Sequence, residues 1–482
     1  MIKPETKREL GLFYAVIIAL NGAIGIEIFV LLNYAIYLAG TAVVLSLFLC
    51  GIINLLTMLS FCELGAAIPE VGSDYTYAKV AFGGIIAFLV GWLRWLSSTF
   101  GATLAAIGFA YMVSYFIPVS IPLTAVAIII VFTLISVRGI KEADAITVLI
   151  ALAALSAFVL LGLKHGFKLG AFQTLTPHTL PGIFAATAYA FPMFIGGRAL
   201  VAAASRIKEP SKNVPRAIVF SAVVTMILYC SMAYVTVGVT SPEALSDPST
   251  PFLTNAAMEI MGDAGSALLV IAGMFAAICS LTTSMMVQSG VTQGLSRDGY
   301  FPKILLTRHK RFGTPYVAII MNSAFLMLFA ATGVIEFIGY ITGFAALLGF
   351  ALVNITLIRL RKEKPFLDRP FKTPLYPFVP ILGIIMSLTL LVFIELRASA
   401  LMFEFIVLAL IIYYLRMTGY HRLRVALGGI NLGIAGFMAL LLYLTGMDIM
   451  PLAVPPPVLC TSILILSVYA LAGILNLIAK VK

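Results

Sequence analysis

Charged side chains are scarce in this sequence: Asp, Glu, Lys and Arg together make up 11% of 482 residues, against roughly 25% in soluble globular domains. That scarcity excludes a soluble domain with an ordinary charged surface. Cysteine is rare as well, and Cys50, Cys62, Cys230, Cys279 and Cys460 all sit inside apolar runs. None of them shows the paired spacing that marks a metal site, so no metal is expected and they read as small core residues. The four histidines, His165, His178, His309 and His421, fall in polar connections. No H-E-x-x-H, G-x-S-x-G or phosphate-cradling glycine loop accompanies them, and an enzyme is not expected. Low-complexity tracts and long polar linkers are missing, which leaves no expectation of an appended soluble domain.

Hydrophobic residues, by contrast, make up 61% of the chain, and its mean hydropathy is +1.09. Crossing about 30 Å of hydrocarbon at 1.5 Å per residue takes about 17 to 25 apolar residues, and runs of that kind recur along the whole chain. The expected spans are 10–38, 41–65, 84–116, 121–137, 144–163, 180–203, 216–240, 264–290, 315–332, 335–358, 375–396, 399–415, 424–446 and 455–478. The fold class is therefore an all-α polytopic membrane protein with about 14 transmembrane helices. The basic N-terminus runs straight into the first span without a small-residue cleavage site, and is expected to be mature sequence.

The net charge of +11 does not point to nucleic acid. With the N-terminus in the cytoplasm, the outer connections hold only Lys164, Lys168 and Arg397, while Arg94 and Arg198 lie within spans. Every other Lys and Arg falls on the inner side, as the positive-inside rule requires, which places both termini in the cytoplasm of a cell-membrane protein. No exposed basic domain remains for a nucleic acid; the lipid bilayer is the expected partner.

Two spans are broken in the middle. The first carries Gly22 and Gly25; the sixth carries Pro192, Gly196 and Gly197. A helix in hydrocarbon must satisfy its own backbone, so clustered breakers belong where the freed groups face a cavity or other protein. These two spans open two blocks of five, residues 1–163 and 164–362, with residues 363–482 as additional C-terminal helices. Five spans per block would insert the second block upside down, and broken helices at matching places in inverted halves point to a transporter's midplane site.

Several stretches carry a family resemblance. "GAIGIEIF" (Gly22–Phe29) resembles the G-x-I-G-S-G-I-F signature of the amino acid-polyamine-organocation (APC) superfamily of permeases. "ELGAAIPEVGSDYTYAKVAFG" (Glu63–Gly83), "FIGGRALVAAASRIKEPSKNVPRAI" (Phe194–Ile218), "LSRDGYFPKILLTRHKRFGTPYVA" (Leu295–Ala318) and "RPFKTPLYPFVPILG" (Arg369–Gly383) resemble its later segments, in order. The resemblance implies a five-plus-five inverted-repeat fold and secondary transport of a small-molecule substrate, an amino acid or amine. It implies substrate binding at the unwound backbone Ala23, Ile24, Gly25, Ile26 and Glu27 and at Phe194, Ile195, Gly196, Gly197 and Arg198, with Phe191 and Phe194 as an aromatic lid. It also implies no cofactor beyond a coupling ion, H+ or Na+; a sodium site would use Gly22 with Ser280, Thr282, Thr283 and Ser284. The lysine that some proton-coupled members carry in the fifth helix is missing between Ala145 and Leu163.

The sequence departs from the family pattern inside the supposed site. Glu27 stands where the signature has a small residue, and Arg198 stands where the family often has an acid. A charge near the bilayer centre costs about 3 kcal/mol even on lenient scales, so each calls for a partner. Three readings are open: a Glu27–Arg198 pair closed on itself, Glu27 as the site for an amine or other organic cation, or Arg198 binding the carboxylate of an amino acid while Glu27 binds its ammonium or carries a coupling proton. Arg94 is a rival partner for Glu27, expected instead to snorkel to the inner interface beside Trp92 and Trp95. Glu63 is expected to anchor a loop or gate, and Glu404 to lie at an oligomer contact or interface. A non-transporting amino-acid sensor on the same scaffold is the alternative from another class; a channel would need a continuous polar pore.

Overall fold

The computed structural model describes residues 10–68, 74–139, 145–166, 180–202, 207–241, 251–417, 428–436, 467 and 469–471. Among them the architecture is helical throughout. The first span is split into α1 (Leu12–Ala23) and α2 (Glu27–Ala39), followed by α3 (Val43–Ala67). A short helix α4 (Asp74–Ala81) precedes α5 (Gly84–Ser114), α6 (Ile121–Arg138) and α7 (Ala145–His165). The sixth span comprises α8 (Leu180–Ala190), a 3-10 segment (Phe191–Gly197) and α9 (Arg198–Ala202). Then come α10 (Pro210–Val239), α11 (Phe252–Arg297), α12 (Tyr316–Ala330), α13 (Ile335–Glu363), α14 (Phe378–Leu391) and α15 (Leu396–Met417).

Among the described residues, eight helical stretches can cross a membrane by length and composition, and four shorter apolar helices accompany them. The expected spans through residue 415 each fall on these helices within several residues. Helix α11 consists of two helical segments joined at a kink at Gly262, whose backbone is non-helical (φ +69°, ψ −173°), and the second segment coincides with the span expected from 264. The last two expected spans, 424–446 and 455–478, lie mostly outside the described residues; a helix occupies 428–436.

The long helix α5 packs along both α11 and α13, and α10 lies against α1 and α3. The largest fully buried side chains are aromatic, among them Phe61, Phe88, Phe100 and Phe350. Residues facing outward are apolar as well, such as Leu123, Leu134, Leu160 and Leu328, as expected where lipid rather than water is the solvent. The broken middle of the sixth span packs against α1, so the two helix breaks meet inside the bundle.

Candidate functional site

Backbone geometry sets the first break. Ile24 leaves the helix (φ −92°, ψ 89°), though its N–H still donates to the Leu20 carbonyl at 2.7 Å. Helix α2 restarts at Glu27. The groups freed between them find partners on other helices: Tyr229 donates its hydroxyl to the Ala23 carbonyl at 2.8 Å, and the Ile26 amide donates to the Ser280 hydroxyl at 3.3 Å. Ser280 in turn donates to Glu27 Oε2 at 3.4 Å. A Cβ on Gly25 would displace both the Glu27 carboxylate and the Ser280 hydroxyl from their present positions. The carboxylate also sits in the first turn of α2, where the helix dipole favours an anion.

The second break differs from the expected unwound segment. Phe191–Gly197 tightens into 3-10 geometry instead of extending. Pro192, which has no N–H, stands near its start, and i+3 hydrogen bonding keeps the backbone in a helix of smaller radius. The two breaks approach closely: a Cβ on Gly196 would fall onto the Gly22 carbonyl. Only glycine permits that contact.

A cavity of about 80 Å³ opens beside this crossing, large enough for a handful of waters or a small ligand. Of the residues expected to bind substrate or ion, Gly22, Glu27, Ile195, Gly196, Arg198, Ser280, Thr283 and Ser284 line it. Ala23, Ile24, Gly25 and Ile26 shape the break without lining the cavity. Phe191 packs on Phe350 at 5.2 Å and Phe194 on Tyr229 at 5.3 Å, both buried and off the cavity wall. In this conformation both rings pack within the bundle. Gly197 is buried beside Met58, and Thr282 spends its hydroxyl on the Ile278 and Cys279 carbonyls at 2.9 and 3.0 Å. Neither reaches the cavity.

The charges are partnered differently from the sequence expectation. Arg198 forms no ion pair with Glu27; its Nη1 lies 3.5 Å from Asp74 Oδ2, both side chains only 4% exposed. Its guanidinium also stands over the Phe350 ring at 5.3 Å, and its Nε donates to the Ile195 carbonyl at 3.2 Å. The reason is positional: Arg198 begins α9, past the 3-10 segment, where α4 carries Asp74 toward it. Arg94 is the second correction. It lines the cavity with Ser97, Ser98 and Gly101, while Trp92 and Trp95 stack on each other and line a separate groove. The spacing 94, 97, 98, 101 is one face of an α-helix, a signal legible in the sequence. Asp74 carried no such signal, because contact between α4 and α9 is purely tertiary. Among the described residues, neither Arg94 nor Glu27 has an ion-pair partner.

Away from the cavity, Glu63 anchors the segment after α13, as expected. Arg361 holds it with two bonds of 2.7 and 2.6 Å, Arg369 approaches at 3.4 Å, and the Thr373 amide donates at 2.7 Å.

Residues 15–426 match the amino acid permease family, which covers most of the chain. The chain belongs to the amino acid permease family. Among its relatives, the branched-chain amino acid permease BcaP of Bacillus subtilis is 27% identical over 444 residues, covering 86% of this chain and 94% of the relative. The methylthioribose transporter of the same organism is 28% identical, covering 78% and 86%. Among solved structures, the permease resembles a manganese transporter from Eremococcus coleocola with a TM-score of 0.55 at 11% identity, over 97% of this chain and 99% of the other. That likeness concerns the fold. It is an all-helical transporter fold with membrane-spanning helices, and the family's members are transporters.

Proposed function

We propose that this permease is a secondary active transporter of amino acids across the cytoplasmic membrane, working by alternating access between two inverted repeats, with both termini cytoplasmic. One observation carries the reading: the cavity at the helix breaks presents one carboxylate, Glu27, and one guanidinium, Arg94, that are not paired with each other, while Arg198 is neutralised by Asp74. Opposite unmatched charges in one small pocket suit a zwitterion. The substrate's ammonium group goes to Glu27 and its carboxylate to Arg94, which replaces Arg198 in that role. An amine alone would leave Arg94 without an anion, which disfavours the organic-cation reading. Relatives include both an amino acid permease and a methylthioribose transporter, so the substrate is argued from the cavity charges.

Coupling to H+ or Na+ uses the same wall. Thr282 drops out, leaving the Gly22 backbone with Ser280, Thr283 and Ser284 around the cavity as the cation-binding set. The test is thermal stabilisation of the purified protein by the standard amino acids and by their decarboxylated amines, with and without sodium. A ligand at about 100 times Kd stabilises the state it binds by about 2.7 kcal/mol. Stabilisation by amino acids and not by the amines is expected. Arg94→Gln should weaken it about 10- to 100-fold, the loss of one charge-assisted hydrogen bond. Stabilisation by amines alone would overturn the zwitterion assignment.

A further inference from the structure

With the ammonium group at Glu27 and the carboxylate at Arg94, the rest of the cavity wall faces the side chain of the substrate. That wall is rich in hydroxyls: Ser97, Ser98, Ser280, Thr283, Ser284 and Thr342. Two of them are occupied, Ser280 by Glu27 at 3.4 Å and Thr342 by the Ile338 carbonyl at 2.7 Å. Thr283 and Ser284 belong to the coupling-ion set. Ser97 and Ser98 remain. Both are buried, at 4% and 6% exposed, and neither makes a hydrogen bond among the described residues. Neither oxygen is closed off from the cavity, as Oδ1 of Asn21 on the same wall is. They lie one turn along α5 from Arg94, on the same helix face, so the helix that holds the carboxylate also presents two open hydroxyls.

A substrate entering this cavity displaces water from both. An apolar side chain would leave two buried oxygens without partners, whereas a hydroxyl can donate to one and accept from the other. A site that bonds a substrate hydroxyl rejects the analogue lacking it far more strongly than an apolar pocket rejects an extra methylene. Size points the same way. A cavity of about 80 Å³ holds about five to eight water-sized atoms, which suits serine and falls short of leucine or phenylalanine. A larger space of about 230 Å³ between α6, α11 and α12 adds no room, because α11 stands between the two: Ser284 and Val287 line one cavity, Met285 and Gln288 the other. We propose that the transported amino acid carries a short hydroxyl side chain, with serine as the type, and that Ser97 and Ser98 select it. This assignment rests on the zwitterion reading of Glu27 and Arg94 and narrows it.

The test is the half-saturation concentration for thermal stabilisation of the purified protein by L-serine, L-2-aminobutyrate, L-leucine and ethanolamine. Aminobutyrate has the shape of serine with a methyl group in place of the hydroxyl; ethanolamine is serine without its carboxylate. Serine should half-saturate ~10-fold or more below aminobutyrate, and leucine should be weaker than both. Combining Ser97→Ala with Ser98→Ala should raise the serine value until most of that difference is gone. Should the double variant misfold, each single variant should close part of the gap. Equal values for serine and aminobutyrate in the parent, or leucine tightest, would overturn the hydroxyl assignment and leave the zwitterion assignment standing. A serine preference that survives in the folded double variant removes Ser97 and Ser98 from the role. Ethanolamine as tight as serine overturns the zwitterion assignment and this one with it, and stabilisation by none of the four overturns serine as the type.

Discussion

Arg198 and Arg94 are two buried-depth arginines with different fates, and the difference is a matter of neighbours. Arg198 has Asp74 at 3.5 Å with both groups out of solvent. Removing one member of such a pair leaves an uncompensated charge, which costs about 3–5 kcal/mol. Arg198→Gln should therefore lower the melting temperature sharply, and adding Asp74→Asn should recover much of the loss; a double variant no more stable than the single would show that the pair does not hold this site. Arg94, with no ion pair among the described residues, should show the opposite balance, with little effect on stability and a large one on ligand binding. The types and depths of both residues were legible in the sequence. Their pairing was not, because Asp74 and Arg198 are far apart in sequence and meet only in the folded bundle, where α4 packs on α5 and α13 and brings Asp74 to Arg198.

At the scale of elements, the two broken helices were legible from their glycines and proline, and the first break falls at the expected place. The second was expected to unwind and instead tightens into a 3-10 segment. Local composition marks where a helix loses its regular bonding but does not choose between extended and tightened backbone; contact with α1 does. Gly196 shows how close that contact is. Gly196→Ala places a methyl group on the Gly22 carbonyl, backbone against backbone, so the cost should reach or exceed the 1–3 kcal/mol typical of overpacking. Loss of monodisperse protein, or a marked fall in melting temperature, is the expected outcome; unchanged stability would place the two breaks farther apart. A second link joins α4 to the turn after α11. Lys79 contacts both Asp298 oxygens at 2.7 Å, and Tyr75 donates to the same carboxylate. Burial pushes Asp298 up, but the hydrogen bonds from Lys79 and Tyr75 outweigh it and hold the carboxyl below its ordinary value of 3.8. A lowered folded-state value stabilises the protein above the unfolded one, and the gain disappears as pH falls through the folded one. Lys79→Met should therefore destabilise the protein at pH 6, and the gap from the parent should close as pH is taken below about 4.

For the whole molecule, the asymmetry of Lys and Arg makes a prediction about sidedness. In a cysteine-free background, Lys164→Cys should react with an impermeant maleimide in intact cells, and Lys310→Cys only after permeabilisation; the reverse pattern would invert the topology. Composition and run length by themselves determined that this is a polytopic helical membrane protein, because hydrocarbon offers the backbone no other partner and a span therefore needs its length of apolar side chains. The motifs determined the family and the location of the helix breaks. Only the tertiary structure decided that Arg198 belongs to Asp74, that the polar face shared by Arg94, Ser97 and Ser98 meets the helix breaks, that Phe191 and Phe194 pack away from the cavity, and that α11 separates two pockets. Each of those turns on which side chains of distant segments end up within a few ångströms of one another, and in a helix bundle that is set by rotation and crossing of helices, which periodicity along one span does not contain.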